Sequence, residues 1–294
     1  MNQPGLESHK SFPVFVALDG TPKGWLDRSL SVFADVRGGE GAGALLLAAN
    51  AFFLMAAYYV LKTVRESLIL SQFGPEASAY TAAGMAFLLL FLVPAYGAFA
   101  SGIIRVRLIS WVTLFFASHL VIFAALANAG VRIGVAYYLW LGIFNNLLIG
   151  QFWAFANDLY DEYKGKRLFP LVGVGTAAGS YFGAEFAANR FRAMGPPRLM
   201  LLAGAVLMAS VLLTLIVNRR ESSAAGSTQH RIAREPIGRK GGFRLVMSNR
   251  YLFLIAVTIL VLNLVNSNGQ FLMYKLADLQ AANTADAQTM LVVS

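Results

Sequence analysis

The sequence predicts an all-α polytopic membrane protein, and three observations carry that prediction. The chain is 57% hydrophobic and only 13% charged, where an ordinary soluble domain carries about 25% charged residues. Its apolar residues fall into blocks of roughly 19 to 25, the length at which a helix rising 1.5 Å per residue crosses about 30 Å of hydrocarbon. Nearly all the charge lies in the short segments between those blocks. Backbone groups in lipid must be satisfied within a helix or a closed barrel, and blocks of this length without strict alternation are helices.

The elements follow in order. Residues 1–42 are a polar amino-terminal tail. Within it Trp25, Leu26, Leu30, Phe33 and Val36 recur at helical spacing opposite Asp27, Arg28 and Arg37. That pattern suits a short amphipathic helix on the membrane surface, or equally a solvated tail with some helix. Expected spans are 43–66, 79–101, 108–128, 133–156, 168–189, 199–217 and 251–271. The first six make a bundle over 43–217, a basic linker occupies 218–250, and 251–294 begins again with one helix. Six spans, a long linker and a further span is the rhythm of a six-plus-six transporter. The expected architecture is therefore a major-facilitator-like six-helix bundle plus the first helix of a second half. The chain looks truncated, its remaining helices lost or supplied by a missing second half or a second copy.

Of the 24 Lys and Arg, seventeen fall in the tail, the loops near 105 and 162, and the linker, against seven in the alternate segments. Basic residues collect on the cytoplasmic side, so the amino terminus and the linker (Arg219, Arg220, Arg231, Arg234, Arg239, Lys240, Arg244 and Arg250) are expected in the cytoplasm. The net charge of +9 does not indicate nucleic acid, because no folded basic domain presents these residues to a duplex. Cysteine is absent, and His9, His119 and His230 are far apart, so no metal site and no cofactor are expected. No Ser–His–Asp set and no protease-like dyad occurs, and an enzyme is not expected. The first 30 residues lack a signal-peptide run, leaving the first span to direct insertion.

Several residues stand out chemically. The first span reads on as YYVLKTVRESLIL, placing Lys62, Arg65 and Glu66 on one face of one helix. Cations there cost about 2.5–3.5 kcal/mol each on insertion scales. They face either a wet cavity that receives an anionic substrate, with Glu66 holding one cation in place, or the outer interface, where they snorkel. The fourth span carries Asn145, Asn146 and Gln151, amides that bond between helices or line a path. In the fifth, Gly175, Gly179 and Gly183 recur every four residues beside Gly173, a stripe that admits a neighbouring helix and lacks the spacing of a phosphate loop. Glu185 is a candidate partner for Arg65 or Arg190. His119 in the third span fits an interhelical bond better than a proton relay. Asn263, Asn266, Asn268 and Gln270 surround Gly269 in the seventh span, the composition of an unwound or water-facing stretch, or of an exit from the bilayer.

Two segments together, YYVLKTVRESLIL and FWAFANDLYDEYKGKRLFPLVGVGTAAGSYFGA, resemble the ATP/ADP translocases of the nucleotide-exchange transporter family, with weaker support from NLVN in the seventh span. The resemblance covers most of residues 30–275. It implies a twelve-helix, major-facilitator-like antiporter in a membrane such as the bacterial inner membrane. Arg65 would take the place of a basic residue needed for transport, Lys166 and Arg167 that of a basic pair with a structural role. Leu141 and Asn266 stand where the characterised translocases carry acidic residues. Three functions follow: exchange of nucleotides or related organic anions by alternating access, transport of another metabolite on the same fold, or a non-transporting membrane module.

Overall fold

The computed structural model describes residues 22–100, 103–224 and 246–293. The amino-terminal 21 residues and most of the basic linker, including Arg231, Arg234, Arg239, Lys240 and Arg244, lie outside the described residues. Within them the chain is helical: α1 (Trp25–Leu30), α2 (Gly41–Phe73), α3 (Pro75–Ala100), α4 (Arg105–Asn128), α5 (Gly134–Leu159), α6 (Glu162–Ala224) and α7 (Arg250–Val293). The chain is an all-α, multi-pass membrane protein: six of these helices are long and apolar enough to cross a bilayer.

One of the six is two spans in sequence. α6 turns back at Gly195, whose φ of 70° and ψ of 169° are not helical. Glycine adopts that φ without a Cβ penalty, and Pro196 and Pro197 follow it, suited to a helix start because their missing N–H groups have no acceptor there anyway. The first leg, 162–194, and the second, 196–224, thus stand where the fifth and sixth spans are expected. The helices overrun the expected apolar limits, because a helix continues beyond the hydrocarbon as long as nothing breaks it. α2 runs on to Phe73, and α7 passes regularly through Gly269 with no unwinding. An unwound stretch around the α7 amides is therefore not what forms.

α2 is the central element, buried along its length from Ala44 to Ile69. Its most extensive contact is with α6. Gly175, Gly179 and Gly183 face the carbonyl oxygens of Ala48, Phe52 and Ala56, also spaced by four, so closely that a methyl group on any of the three would overlap backbone. Such an approach brings Cα–H groups to carbonyl oxygens, contacts worth roughly 0.5–1 kcal/mol each, and maximises dispersion where lipid offers no hydrophobic drive. Gly173, about half a turn from Gly175 on the opposite face, has nothing within 4 Å of a Cβ. The second leg of α6 grips α2 with a buried polar link: Asn50 Nδ2 donates to Thr214 Oγ1 at 2.8 Å, and Ser210 Oγ donates to Asn50 Oδ1 at 2.6 Å. Aromatic rings join α4 to α5, with Phe116 and Phe123 edge-on to Trp140.

At the amino-terminal face a clasp fixes where α2 begins. Asp27 lies on the polar side of α1 yet is 6% exposed. Its carboxylate accepts the N–H groups of Gly24 (2.9 Å), Gly39 (3.1 Å) and Gly41 (2.9 Å), the last opening α2. α1 ends at Leu30, with Trp25 exposed, Phe33 exposed beyond it and Val36 fully buried, so the five apolar residues do not form one helical stripe, and the buried Asp27 on the polar side is what ties α1 to α2. Glu40 then receives both terminal nitrogens of Arg167 at 3.0 Å, and Arg167 also donates to the Asp35 carbonyl at 2.6 Å. Lys166 only pairs with Glu162 at the surface, at 2.7 Å. The Gly39 N–H above all, against the opposing effect of burial, and then those of Gly24 and Gly41, hold the Asp27 carboxyl below its ordinary range. Burial pushes the Glu40 carboxyl up, but Arg167 and the Arg37 N–H outweigh it and the net direction is down.

Two outcomes follow. Gly179→Leu overpacks the seam between α2 and α6, a class of change that costs about 1–3 kcal/mol or more, and should lower folded yield and melting temperature in detergent, while Gly173→Ala should leave both unchanged. The clasp should be complete at any pH above the ordinary aspartate value of 3.8 and released as pH falls through the lower folded value. Hydrogen exchange of the Gly39 and Gly41 amides reads this: Asp27→Asn, which cannot accept all three bonds, should expose them at neutral pH.

Candidate functional site

The charged residues of α2 lie at the end remote from the clasp. Arg65 is about 36 Å of helical rise beyond Gly41, and only 9% of it is exposed. Its guanidinium is held from three sides. Nε donates to Glu66 Oε1 at 3.0 Å, Nη2 donates to the same oxygen, and the plane lies over the Tyr138 ring at 4.4 Å from its centroid. Tyr138 comes from the first turns of α5, which are drawn to the end of α2 by a hydrogen bond from the Gly134 N–H to Gln72 Oε1 at 2.8 Å. Next to it Tyr137 is fully buried, with its hydroxyl donating to the Leu61 carbonyl at 3.4 Å.

The other carboxylate oxygen of Glu66 faces α7. Tyr274, about 36 Å of rise beyond Arg250, donates its hydroxyl to Glu66 Oε2, and the adjacent Lys275 pairs with Glu76 at the start of α3. The two contacts join α7 to the six-helix unit at one membrane face. Closer to the middle, the apolar stretch of α7 is wholly unburied. The result is a buried cation compensated by one carboxylate, with that carboxylate shared between the six-helix unit and α7.

Lys62 is half-buried one turn before Arg65, with Nζ 5.4 Å from the centroid of the Tyr59 ring. Arg65, not Lys62, takes Glu66, although Lys62 stands four residues away at the spacing that favours a helix pair. The guanidinium can offer two N–H groups to one oxygen and lie flat on Tyr138, which an ammonium cannot. Lys62 is therefore the cation of this cluster that no carboxylate neutralises among the described residues.

No protein-family model, no curated protein and no solved structure matches the chain.

The remaining sequence candidates are distributed otherwise. Asn145 and Asn146 lie two turns along α5 from Tyr138. Asn145 is half-buried, and Asn146 is exposed and donates to the Gly142 carbonyl of its own helix at 2.9 Å. Asn266 is exposed on α7, and its neighbours Asn263 and Asn268 donate to their own helix at 2.8 and 3.0 Å. None of the three amides touches the Arg65 cluster, though helical rise sets Asn145 and Asn266 at a common depth, about 10–12 Å inward from it. Gln151 bonds Tyr96 across α5 and α3, and so packs helices together. Glu185 accepts from Asn189 at 2.7 Å and pairs with neither arginine. His119 bonds the Phe115 carbonyl of its own helix at 2.8 Å instead of bridging helices. Leu141 is fully buried. Among the described residues no cluster of His, Asp and Glu is arranged to hold a metal.

Tyr138 and Tyr274 are the members of the site that sequence reasoning missed. Tyr138 had a signal in the Tyr-Tyr pair that opens α5, since an aromatic at a membrane interface is a ready cation partner. Tyr274 is more than 200 residues from Glu66, and nothing local marks it.

The natural chain contains no cysteine, so the docking of α7 can be read without background. A Glu76→Cys, Lys275→Cys double variant treated with mild oxidant or a short bifunctional thiol reagent should lose most of its maleimide labelling. Each single variant should stay reactive. Undiminished labelling of the double variant would show that α7 does not rest on α3 at this end.

Proposed function

We propose that the protein is a transporter unit for nucleotides or related phosphate-bearing organic anions, of the kind its motifs resemble, working by alternating access as an antiporter on a major-facilitator-like architecture. One observation carries this reading: a buried Arg65–Glu66 pair sits where α7 meets the six-helix unit, with an uncompensated Lys62 beside it. A buried ion pair is a costly way to stabilise a fold, because desolvation offsets most of the attraction. A site that must alternate between a carboxylate and an anionic cargo has a reason to keep it. With this face closed, Glu66 occupies Arg65 and Tyr274 caps Glu66. With α7 displaced, the Tyr274 bond is lost, and Arg65 and Lys62 together present two cations to a phosphate, one forked and one compact. The missing acids at Leu141 and Asn266 favour a cargo other than ATP and ADP. The charge distribution supports a cytoplasmic amino terminus, which places the Arg65 cluster at the outer face.

The experiment is uptake into proteoliposomes from a panel of labelled nucleotides and organic acids. Arg65→Gln should lose about tenfold or more of anion uptake, the loss of roughly one charge-assisted bond. Arg65→Lys should retain part, since an ammonium binds phosphate but cannot fork to two oxygens. Lys62→Gln should lose less. Expression of the two glutamine variants should hold or improve, because a cation has been removed from the membrane region. Normal uptake by Arg65→Gln would exclude the phosphate role. Loss of protein instead of activity would make the pair a structural staple.

A further inference from the structure

The kink of α6 does more than reverse the chain. It lies on the same membrane face as Arg65, against the last turn of α4, and the two leave a cavity of about 630 Å3 between them. Arg192 reaches this cavity from just before the kink and Arg198 from just after it, with Asn128 of α4 beside them. Both guanidiniums are exposed, and neither forms an ion pair among the described residues. The second leg of α6 begins here, so its amino-terminal partial positive charge adds to theirs. The opposing helix end contributes little negative potential, because the Ala125, Leu126 and Ala127 carbonyls already accept from Ala129, Val131 and Gly130.

The rest of the lining is apolar, with Ala124 at its buried floor and its rim facing outward. Val121 of α4 is 57% exposed and Leu201 of α6 is 47% exposed. Leu201 lies about one turn, or 4.5 Å of rise, deeper in the membrane than Arg198. Below it Met208 and Leu212 continue the same exposed face of the second leg, and Leu114 that of α4. A water-soluble anion would find cations here but no use for an apolar floor that opens sideways to lipid. A molecule with an anionic head and hydrocarbon tails satisfies both halves.

We propose that this groove is a binding site for an anionic phospholipid. Its phosphodiester is held between Arg192 and Arg198, with Asn128 as an additional donor, and an acyl chain runs between α4 and the second leg of α6 past Val121 and Leu201. Arginine matches phosphate oxygens in a forked geometry, and the two arginines flank the turn at Gly195 between two apolar legs, where a span meets the membrane boundary. The site is separate from Arg65 and does not depend on the transport reading.

The test uses the whole protein in detergent, with retained lipid counted by native mass spectrometry after adding phosphatidylglycerol or phosphatidylcholine. One phosphatidylglycerol should be retained in preference to phosphatidylcholine. An Arg192→Gln, Arg198→Gln double variant should bind it about tenfold more weakly, and the corresponding double lysine variant should recover part. Arg132→Gln, an exposed cation on the same membrane face outside the groove, should bind as the natural protein does. Free inorganic phosphate at millimolar concentration should not displace the lipid. Equal retention of the two lipids, unchanged binding by the double glutamine variant, or an equal loss in Arg132→Gln would each overturn the site. Displacement by inorganic phosphate would overturn the lipid as its occupant. A double glutamine variant with altered melting temperature is compared through the lysine variant, and failure of that folded variant to recover any binding also counts against the proposal.

Discussion

The structure depends on how closely two backbones approach. The first leg of α6 lies against α2 through glycines set one turn apart, and everything else is placed relative to that seam. Because α6 then turns at Gly195 and returns, α2 is held from two directions: by backbone contact on one leg, and by Asn50 bonded to Ser210 and Thr214 on the other. A helix fixed in this way cannot slide or rotate readily. Its two ends therefore become defined points, one at the Asp27 clasp and the other at Arg65.

Those two ends use charge differently. At the amino-terminal face Asp27, Glu40 and Arg167 are held within one compact clasp, Asp27 by backbone N–H groups and Glu40 and Arg167 chiefly by each other. At the far face the Glu66 carboxylate is divided between Arg65 on its own helix and Tyr274 on α7. The first arrangement anchors. The second joins two bodies through a few polar atoms, so it can be broken and re-formed without disturbing the seam. That difference makes the Arg65 end the candidate for movement and the Asp27 end the fixed reference.

The sequence made the spans legible because length and hydropathy are local, and it made the glycine stripe legible because a period of four is a helical face. The structure puts α2 backbone against that stripe, and it puts Arg65 and Glu66 together. Residue spacing alone does not show that Arg65 takes Glu66 in preference to Lys62. That choice is decided by Tyr138, which comes from another helix. Helical spacing sets Asp27 opposite an apolar stripe and gives no sign of its burial, since the N–H groups it accepts from Gly39 and Gly41 lie 12 and 14 residues on. The α7 amides suggested unwinding because composition alone does not distinguish a broken helix from a regular one whose amides bond their own carbonyls. Glu185 and His119 were misjudged for the same reason: each found a partner four residues away.

The seam between α2 and α6 also has unequal sides. Gly175, Gly179 and Gly183 meet carbonyl oxygens, and every residue type has a carbonyl oxygen. The α2 side is thus written in an atom common to all amino acids, and Ala48, Phe52 and Ala56 contribute to it whatever side chains they bear. Sequence drift at those three positions leaves the contact in place, as far as their side chains find room elsewhere, as Phe52 does beside Phe182. On the α6 side no such latitude exists, since the smallest addition, a single methyl, meets backbone that cannot step aside. One helix of the pair is free to diverge and the other is held to glycine, so the record of this contact over many generations would be kept by α6 alone.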